Sequence, residues 1–397
     1  MTKNLVLVLN CGSSSIKFAV LSPATTISVL SGLIQKIASP EASIKYLLNE
    51  QTFFHDLPNI DYHQALKIVT DIIHDNQNIA DNIVAAGHRV LHGGAKFTKS
   101  VIITDQVLQA IRACIPLGPL HNPVNILGIE AVAESFPNLP QVAVFDTAFH
   151  QTMPDYAYIY PVPYELYIKH GVRRYGFHGT SHRFVTRQAE ILLGKNPNSS
   201  AFITAHLGNG CSVAAILDGK CIDTSMGLTP LEGLVMGTRS GDVDPSLPKY
   251  LVDTLGYDIN KITDLLNKKS GLLGISGLDS DMRTIENKAA EGHKQALLAL
   301  EIFCYRLAKY IASFAVPLGR IDALIFTGGI GENSQTVREK TLSWLKIFRF
   351  EIDQERNIIN GKKSGGIITK EGGPIAIVVP TNEELLIAED ALTLSAA

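Results

Sequence analysis

One pattern occurs twice in the chain and constrains its fold more than any other feature. The apolar run Leu5–Leu9 leads through the small-residue turn Asn10–Ser15 into a second apolar run, Ile16–Leu21. Roughly two hundred residues later, residues 201–217 repeat this order around the turn 207–210. Two short apolar runs joined by such a turn predict a β-hairpin. Two similar hairpins, each opening one half of the chain, predict a two-lobed protein of duplicated plan.

Strands and helices alternate after each hairpin. In the first half, residues 83–89 read as a strand ending at Arg89, and residues 142–145 as a strand before Asp146. Between them, Asn122-Pro123 supplies the N-cap and first-turn proline of a helix. The elements expected in the second half are a helix near 295–316, a strand at 323–326, a turn at 328–333, a helix from Ser334, a strand at 375–379 and a terminal helix. The alternation predicts an α/β fold, in which ligands collect at the carboxyl ends of strands.

Composition and charge exclude several function classes. A formal net charge of -3 gives no broad basic field for a nucleic-acid backbone. The five cysteines are scattered and form no CxxC pair, which fits a reducing cytoplasm better than a disulfide framework or a zinc site. The most apolar stretch, residues 297–318, carries Glu301, Arg306 and Lys309 at helical spacing, so it predicts an amphipathic helix and no membrane span.

Three glycine-rich or hydroxyl-rich turns follow apolar strands, at residues 12–15, 208–210 and 328–331. Such turns expose backbone N–H groups to phosphate without side-chain obstruction. Each alone fits an ordinary tight turn, but three in one α/β chain, with Lys17 after the first, favour a nucleotide site. Neither a P-loop nor a Rossmann glycine pattern is present, so the nucleotide is expected between two hairpins.

Polar residues near these turns supply candidate ligands. Asn10 and Glu383 offer the oxygen atoms that Mg²⁺ prefers, although a turn cap and a helix start explain them equally well. Histidines and arginines cluster with glycine at residues 88–94, 173–182 and 237–242. Cations in glycine-flanked loops fit ligand contacts better than core positions, because a buried cation needs a dedicated partner.

Seven segments resemble the acetate kinase family in order and spacing, from residue 4 to the terminal helix. They are residues 8–17, 88–94, 145–150, 173–182, 206–210, 236–241 and 327–334. The resemblance implies two ribonuclease H-like lobes of the actin-like and sugar-kinase ATPase superfamily, with the active site in the cleft between them. It further implies a homodimer that transfers the ATP γ-phosphoryl group reversibly to acetate. The expected lobes are residues 1–150 with 384–397, on the acetate and phosphate side, and residues 151–383, which bind nucleotide and form the dimer.

The resemblance also implies roles for individual residues. Asp146, Arg89, His178 and Arg239 are similar to the catalytic residues, and Arg89 with Leu91, Leu120 and Pro230 to the substrate-binding residues. Asn10 and Glu383 are similar to the metal pair for Mg²⁺, with Mn²⁺ as an alternative. The nucleotide-binding set is expected to be Ser13, Ser15, Lys17, His206, Leu207, Gly208, Asn209, Gly210, Asp281, Met282, Arg283, Gly329, Ile330, Gly331, Glu332 and Asn333.

Elementary chemistry shapes the expected mechanism. Acetate is ionised at pH 7 and needs no general base, so we expect Asp146 to orient a water or an arginine. Arg89, Arg239 and His178 would neutralise the charge on the carboxylate and the transferring phosphoryl group during direct in-line displacement. Leu91 replaces the smaller valine usual in the family, which favours acetate over propionate. A propionate kinase and a non-catalytic, actin-like nucleotide clamp remain as alternatives.

Overall fold

The structure is a computed structural model that describes residues 4–396. The chain forms two compact units, of which the first runs to Phe149 and resumes at Asn382, while the second spans His150–Thr381. Each unit contains one mixed β-sheet with helices, so the predicted α/β, two-lobed fold is confirmed.

The first unit is organised around an eight-stranded sheet of order β5-β4-β3-β2-β1-β6-β8-β7. Its strands are β1 (Leu5–Cys11), β2 (Ile16–Ser22), β3 (Ile27–Gln35), β4 (Ser43–Leu48), β5 (Gln51–Asp56), β6 (Ile83–Val90), β7 (Val101–Ile102) and β8 (Gln141–Phe145). Its helices before the C-terminal one are α1 (Tyr62–His74), α2 (Gln77–Ala80), α3 (Asp105–Ala113) and α4 (Asn122–Ser135). Strand β1 pairs antiparallel with β2 and parallel with β6, and β6 pairs parallel with β8.

Helices cover both faces of this sheet, which explains why its central strands are apolar throughout. Alternate β1 residues, such as Leu7, pack in one core with Leu66 and Val69 of α1. The C-terminal helix packs against β6 so closely that a Cβ atom on Gly87 would lie 2.5 Å from Ile387 Cγ2. Glycine at this position therefore permits the helix to approach the strand.

The second unit is organised around a five-stranded sheet of order β11-β10-β9-β12-β13. Its strands are β9 (Ala201–Leu207), β10 (Cys211–Leu217), β11 (Lys220–Thr224), β12 (Ala323–Thr327) and β13 (Ile375–Val378). Its helices are α5 (Asp155–Tyr158), α6 (Tyr164–His170), α7 (Gly179–Leu192), α8 (Leu247–Leu255), α9 (Ile259–Lys268), α10 (Gly271–Ser276), α11 (Met282–Ala290), α12 (Lys294–Leu318), α13 (Gly328–Asn333), α14 (Gln335–Trp344) and α15 (Gln354–Ile358). The last helix, α16 (Glu383–Ser395), belongs to the first unit.

The two sheets share one core arrangement, as the repeated hairpin predicted. In the first unit β3, β2 and β1 are antiparallel neighbours, and β6 and β8 follow parallel to β1. In the second unit β11, β10 and β9 are antiparallel neighbours, and β12 and β13 follow parallel to β9. The duplicated plan is therefore present in the topology.

Two local predictions were wrong. His121, not Asn122, occupies the N-cap of α4, because the Asn122 side chain bonds both the N–H and the C=O of His92. Residues 328–333 form the short helix α13, not an open turn. Within residues 4–396, none of the helices is both long enough and apolar enough to cross a membrane.

Candidate active site

Candidate site residues of the first unit meet at Arg89. Its Nε atom donates to Asp146 Oδ1 at 2.9 Å and its Nη2 atom to Asp146 Oδ2 at 2.5 Å. Its Nη1 atom donates to Asn10 Oδ1 at 3.0 Å, and Glu383 Oε2 lies 3.8 Å from Nε. We call these four residues the Arg89 cluster.

Sheet register creates the Arg89 cluster. Asn10 and Arg89 are directly paired at the carboxyl ends of the parallel strands β1 and β6, and Asp146 follows the end of β8. Glu383 opens α16, whose N-cap Asn382 accepts a bond from the Leu385 N–H at 3.0 Å. Parallel neighbouring strands bring their carboxyl ends to one edge, so residues distant in sequence become neighbours there.

The cluster carries more negative than positive charge. Asp146 is fully buried. Arg89 contributes one positive charge to the cluster, and it lies beside two carboxyl groups, those of Asp146 and Glu383. Burial raises the pKa of Glu383 to about 7, and the Asp146 and Glu384 carboxylates add to that rise while Arg89 opposes it. Burial disfavours the charged form of Arg89, but Asp146 and Glu383 outweigh it and raise its pKa, so the guanidinium stays charged.

Oxygen atoms of Asn10 and Glu383, with their excess negative charge nearby, suit a hard divalent cation. Mg²⁺ commonly takes only one or two protein ligands and completes its shell with water and phosphate. Within the described residues, no group of three or more His, Cys, Asp or Glu side chains is arranged to hold a metal. Asn10 and Glu383 could supply the one or two oxygen ligands that Mg²⁺ commonly takes from protein.

The first hairpin turn lies beside the Arg89 cluster in sequence. Its Gly12 N–H donates to the Ser15 carbonyl at 2.8 Å, and the Tyr62 hydroxyl donates to the Gly12 carbonyl at 2.6 Å. Ser13 is exposed and Ser15 is partly exposed at this tip. Lys17 pairs in register with Asn10 and forms an ion pair of 2.5 Å with Glu384.

The two leucines predicted to line the substrate pocket differ in burial. Leu91 is buried, and its N–H donates to Asn125 Oδ1 at 3.0 Å. Leu120 is 64% exposed in the loop before α4. Of the two, only Leu91 has a position fixed by the core.

Sequence reasoning missed two buried asparagines that organise this edge of the sheet. Asn125 Nδ2 donates to the Cys11 carbonyl at 2.7 Å, so one side chain joins the ends of β1 and β6. Asn122 binds both backbone groups of His92 in the same way. The available signal was two amide side chains, Asn122 and Asn125, on an otherwise apolar helix. Their spacing of three residues places both on one face of that helix.

In the second unit, a cavity of about 680 Å³ opens beside the β9–β10 turn. Its lining residues are Gly208, Asn209, Ser280, Asp281, Met282, Arg283, Glu286, Gly329, Ile330, Asn333 and Ser334. Eight of the thirteen nucleotide-binding residues predicted in this unit therefore line one cavity. Ser280, Glu286 and Ser334 were not predicted, and Ser334 Oγ donates to Glu286 Oε1 at 2.5 Å.

The remaining predicted nucleotide residues of this unit do not line the cavity. Leu207 is fully buried. Glu332 Oε1 accepts from the Gly328 and Thr381 N–H groups at 3.0 Å each, so its carboxylate holds the backbone around α13. His206 bonds Ser181 Oγ through Nδ1 at 2.8 Å.

The fully buried Arg338 holds the end of α13 through hydrogen bonds to backbone carbonyls. Arg338 Nη1 donates to the carbonyls of Gly331 and Glu332 at 2.9 and 3.0 Å. Its other nitrogens donate to Asn357 and Asn360. These bonds satisfy carbonyls at the end of α13 and connect the cavity wall to α15.

His178 and Arg239 flank the glycine at the end of the β9–β10 turn. A Cβ atom on Gly210 would lie 3.3 Å from His178 Nε2 and 3.4 Å from Arg239 Nη1. His178 adopts a left-handed conformation (φ 57°) at the N-cap of α7, and Arg239 Nη1 donates to the Pro230 carbonyl at 3.0 Å. The fold therefore brings the two predicted phosphoryl contacts to one side of this turn.

An ion pair holds the loop that carries Pro230 and Arg239. Glu232 binds Arg174 Nη2 at 2.5 Å and accepts a bond from the Tyr160 hydroxyl. Arg174 Nη1 donates to the Thr224 carbonyl at 2.8 Å. The loop is thus attached to β11 and to the segment before α7.

Comparison with known proteins gives one consistent result. The sequence model of the Acetokinase family matches residues 5–389. The acetate kinase of Shewanella amazonensis is 58% identical over 396 residues, covering 99% of each chain. That of Shewanella loihica is 57% identical over 396 residues, covering 99% of this chain and 100% of its own.

Solved structures agree with the sequence comparison. A propionate kinase from Francisella tularensis has a TM-score of 0.94 and 48% identity, covering 98% of this chain and all of its own. Porphyromonas gingivalis acetate kinase has a TM-score of 0.91 and 42% identity, covering 98% of this chain and 99% of its own. The chain belongs to the Acetokinase family.

Proposed function

We propose that this protein is an ATP-dependent acetate kinase, which forms acetyl phosphate and ADP reversibly. The observation that carries the proposal is the state of Arg89. An arginine side chain has five N–H groups, and bonds to Asp146 and Asn10 engage three of them. We propose that the remaining N–H groups, one on Nη1 and one on Nη2, form the fork that binds a carboxylate.

Asp146 orients Arg89 in this proposal and removes no proton. The acetate carboxylate is already a nucleophile at neutral pH, so a general base has no proton to abstract. The fork of Arg89 binds the carboxylate oxygens of acetate, and the fully buried Asp146 prevents the guanidinium from rotating. Alignment and charge neutralisation are the main tasks in phosphoryl transfer.

ATP is assigned to the cavity of the second unit. Met282 and Ile330 offer apolar contacts to a base, while Asp281 holds the Arg283 guanidinium with its Nη2 atom 2.5 Å from Oδ2. The 208–210 turn supplies N–H donors for phosphates. Ser13, Ser15 and Lys17 of the first unit are proposed as further phosphate contacts on the family resemblance. His178 and Arg239 contact the transferring group.

Asn10 and Glu383 would hold Mg²⁺, or Mn²⁺ in its place. When bound, the ion neutralises phosphate charge and fixes the orientation of the triphosphate. The high pKa of Glu383 supports this assignment, because a carboxylate that resists ionisation beside other carboxylates gains from a cation. The lobe roles, a cytoplasmic location and a homodimer are proposed on the family resemblance.

Acetate is the proposed acyl substrate because Leu91 narrows the pocket and relatives at 56–58% identity are named acetate kinases. The 48% identical propionate kinase makes propionate the second candidate. An apolar pocket discriminates one methylene by only about 1–3 kcal/mol, so slow use of propionate is expected.

The test is hydroxylamine trapping of acyl phosphate by purified protein with Mg-ATP and either acid. Hydroxamate formation that depends on acetate, with a higher kcat/KM than for propionate, supports the proposal. A higher kcat/KM for propionate would assign the second candidate. Nucleotide binding without hydroxamate from either acid would identify a non-catalytic clamp.

A further inference from the structure

A chain of hydrogen bonds leads from His178 into the core of the second unit. His178 Nδ1 lies 2.8 Å from Ser212 Oγ, which lies 2.8 Å from His182 Nε2. His182 Nδ1 lies 2.7 Å from Thr204 Oγ1, which donates to the Ala214 carbonyl at 3.4 Å. Ser212, His182 and Thr204 are fully buried.

The inner end of this chain sets its direction. A carbonyl oxygen only accepts, so Thr204 gives its hydroxyl hydrogen to Ala214 and accepts one from His182 Nδ1. His182 stays neutral, because burial lowers its pKa well below the usual value and the neighbouring His150 and His206 lower it further. A neutral imidazole with its hydrogen on Nδ1 accepts at Nε2, here from Ser212.

The direction of the bond between His178 and Ser212 follows from the same count of hydrogens. Ser212 has given its hydrogen to His182, so its oxygen accepts one from His178 Nδ1. The reverse direction would turn the Thr204 hydrogen toward His182 and leave two oxygen lone pairs facing each other at the Ala214 carbonyl. The observed contacts therefore favour a single tautomer of His178.

We infer that Ser212 and His182 are positioning residues that keep a hydrogen on Nδ1 of His178, so that proton gain and loss take place at Nε2. Nε2 and the adjacent Cε1 are the His178 atoms nearest to a Cβ atom built on Gly210, at 3.3 Å each, and Arg239 Nη1 lies 3.4 Å from the same point. His178 then donates to a phosphoryl oxygen only as imidazolium. This last consequence depends on the proposed function, whereas the tautomer is a property of the resting protein.

Charged and titratable groups around His178 come from several elements. Arg239 approaches the same side of Gly210, and the His206 ring of β9 lies 4.3 Å from the His178 ring, centroid to centroid. His182 is linked to His178 by the Ser212 hydroxyl, which bonds both rings. Because the cationic Arg239 disfavours a second positive charge, a phosphate anion is expected to promote the imidazolium form.

Nitrogen-15 NMR of histidine-labelled full-length protein tests the inference, with His178 signals assigned by their loss in His178→Gln. At a pH where His178 is neutral, the wild-type spectrum is expected to show its hydrogen on Nδ1. Ser212→Ala, nearly isosteric, should give a mixture of tautomers. It should also lower kcat by about 10-fold or more, since the imidazolium loses the Ser212 acceptor that orients it and stabilises its charge, while KM for ATP stays within about twofold.

Ser200→Ala is the matched control, because Ser200 is an equally buried serine of the same unit whose hydroxyl binds Glu190. It should leave both the tautomer and kcat unchanged. A hydrogen on Nε2 in the wild type, or an unchanged tautomer in Ser212→Ala, would overturn the inference. A hydrogen on Nδ1 in protein that phosphorylates no carboxylate would support the inference and defeat the proposed function alone.

Discussion

Asp146 binds Arg89 through two parallel contacts, Oδ1 to Nε at 2.9 Å and Oδ2 to Nη2 at 2.5 Å. This bidentate geometry fixes both the position and the plane of the guanidinium. The outer fork of Arg89 consequently faces one direction. The proposed acetate site thus depends on the contact between Arg89 in β6 and Asp146, which follows the neighbouring strand β8.

Asp146→Asn should impair the use of acetate more than the binding of nucleotide. The amide keeps the shape of Asp146 but loses the charge, so Arg89 turns toward Glu383 and its outer fork leaves the site. We expect kcat/KM for acetate to fall by about 10²–10³-fold, the magnitude for one lost transition-state contact, in initial-rate measurements. Asp105→Asn, at an exposed helix start, is the control. An unchanged kcat/KM would refute the orienting role.

Arg239→Ala should separate turnover from nucleotide affinity. Arg239 lies beside His178 at Gly210 and does not line the nucleotide cavity. Turnover should fall by about 10³-fold or more, as for other arginines that stabilise a transferring phosphoryl group. The dissociation constant of ADP, measured by calorimetry, should stay within about threefold of the wild-type value. Equal losses in both quantities would contradict the assignment.

Gly237→Ala should weaken nucleotide binding through Asn209. A Cβ atom at Gly237 would lie 2.0 Å from Asn209 Oδ1 and 3.2 Å from the Ser280 carbonyl, and both residues line the cavity. Displacing them should cost about 1–3 kcal/mol, or roughly 5- to 150-fold in ADP affinity. At Gly373 an added Cβ meets nothing within 4 Å, so Gly373→Ala should bind ADP normally. Equal affinities of the two variants would count against the cavity.

Part of this organisation could be predicted from sequence. The hairpins around Asn10 and Gly208 were visible because short apolar runs and small-residue turns are local signals. Arg89 and Asp146 were found because strand ends are the expected ligand positions in an α/β sheet. These signals need no knowledge of which strands pair.

Other features depend on contacts between distant residues and left no local signal. Asn125 is significant only because α4 crosses the ends of β1 and β6. Arg338 is fully buried because carbonyls of α13 and the asparagines near α15 surround it, which helical periodicity does not predict. Glycine-rich residues 328–331 favoured a turn, but packing placed them in a helix.

Leu91→Val should increase the use of propionate. Shortening this buried side chain by one methylene enlarges the proposed pocket where a longer acyl chain needs space. The ratio of kcat/KM for propionate to that for acetate should rise by about 10-fold, in line with the free energy of one methylene in an apolar pocket. Leu120→Val changes an exposed side chain and should alter this ratio less. A ratio unchanged by Leu91→Val would place the methyl pocket elsewhere.

Stability should fall in acid because His88 is buried in its neutral form. Burial lowers the pKa of His88 from 6.5 to about 4, and its Nε2 atom lies 2.7 Å from the Gln141 amide. Between these pH values the unfolded chain binds a proton that the folded chain excludes. The free energy of unfolding therefore decreases as pH falls from 6.5 to 4, by about 3 kcal/mol from this residue.

Urea unfolding at pH 7.5 and pH 5 measures this effect. His88→Gln should reduce the loss of stability between the two pH values. His63→Gln, which changes an exposed histidine of α1, should retain the full loss. The same loss in all three proteins would show that His88 ionises normally in the folded state.

Arg89→Lys tests the central claim most directly, because lysine keeps the charge and removes the fork. The measurement is kcat/KM for acetate, compared with ADP affinity by calorimetry in the same protein. We predict a fall of about 10³-fold in kcat/KM and no change in ADP affinity. Wild-type acetate kinetics in Arg89→Lys would contradict the assignment of the Arg89 fork to the carboxylate.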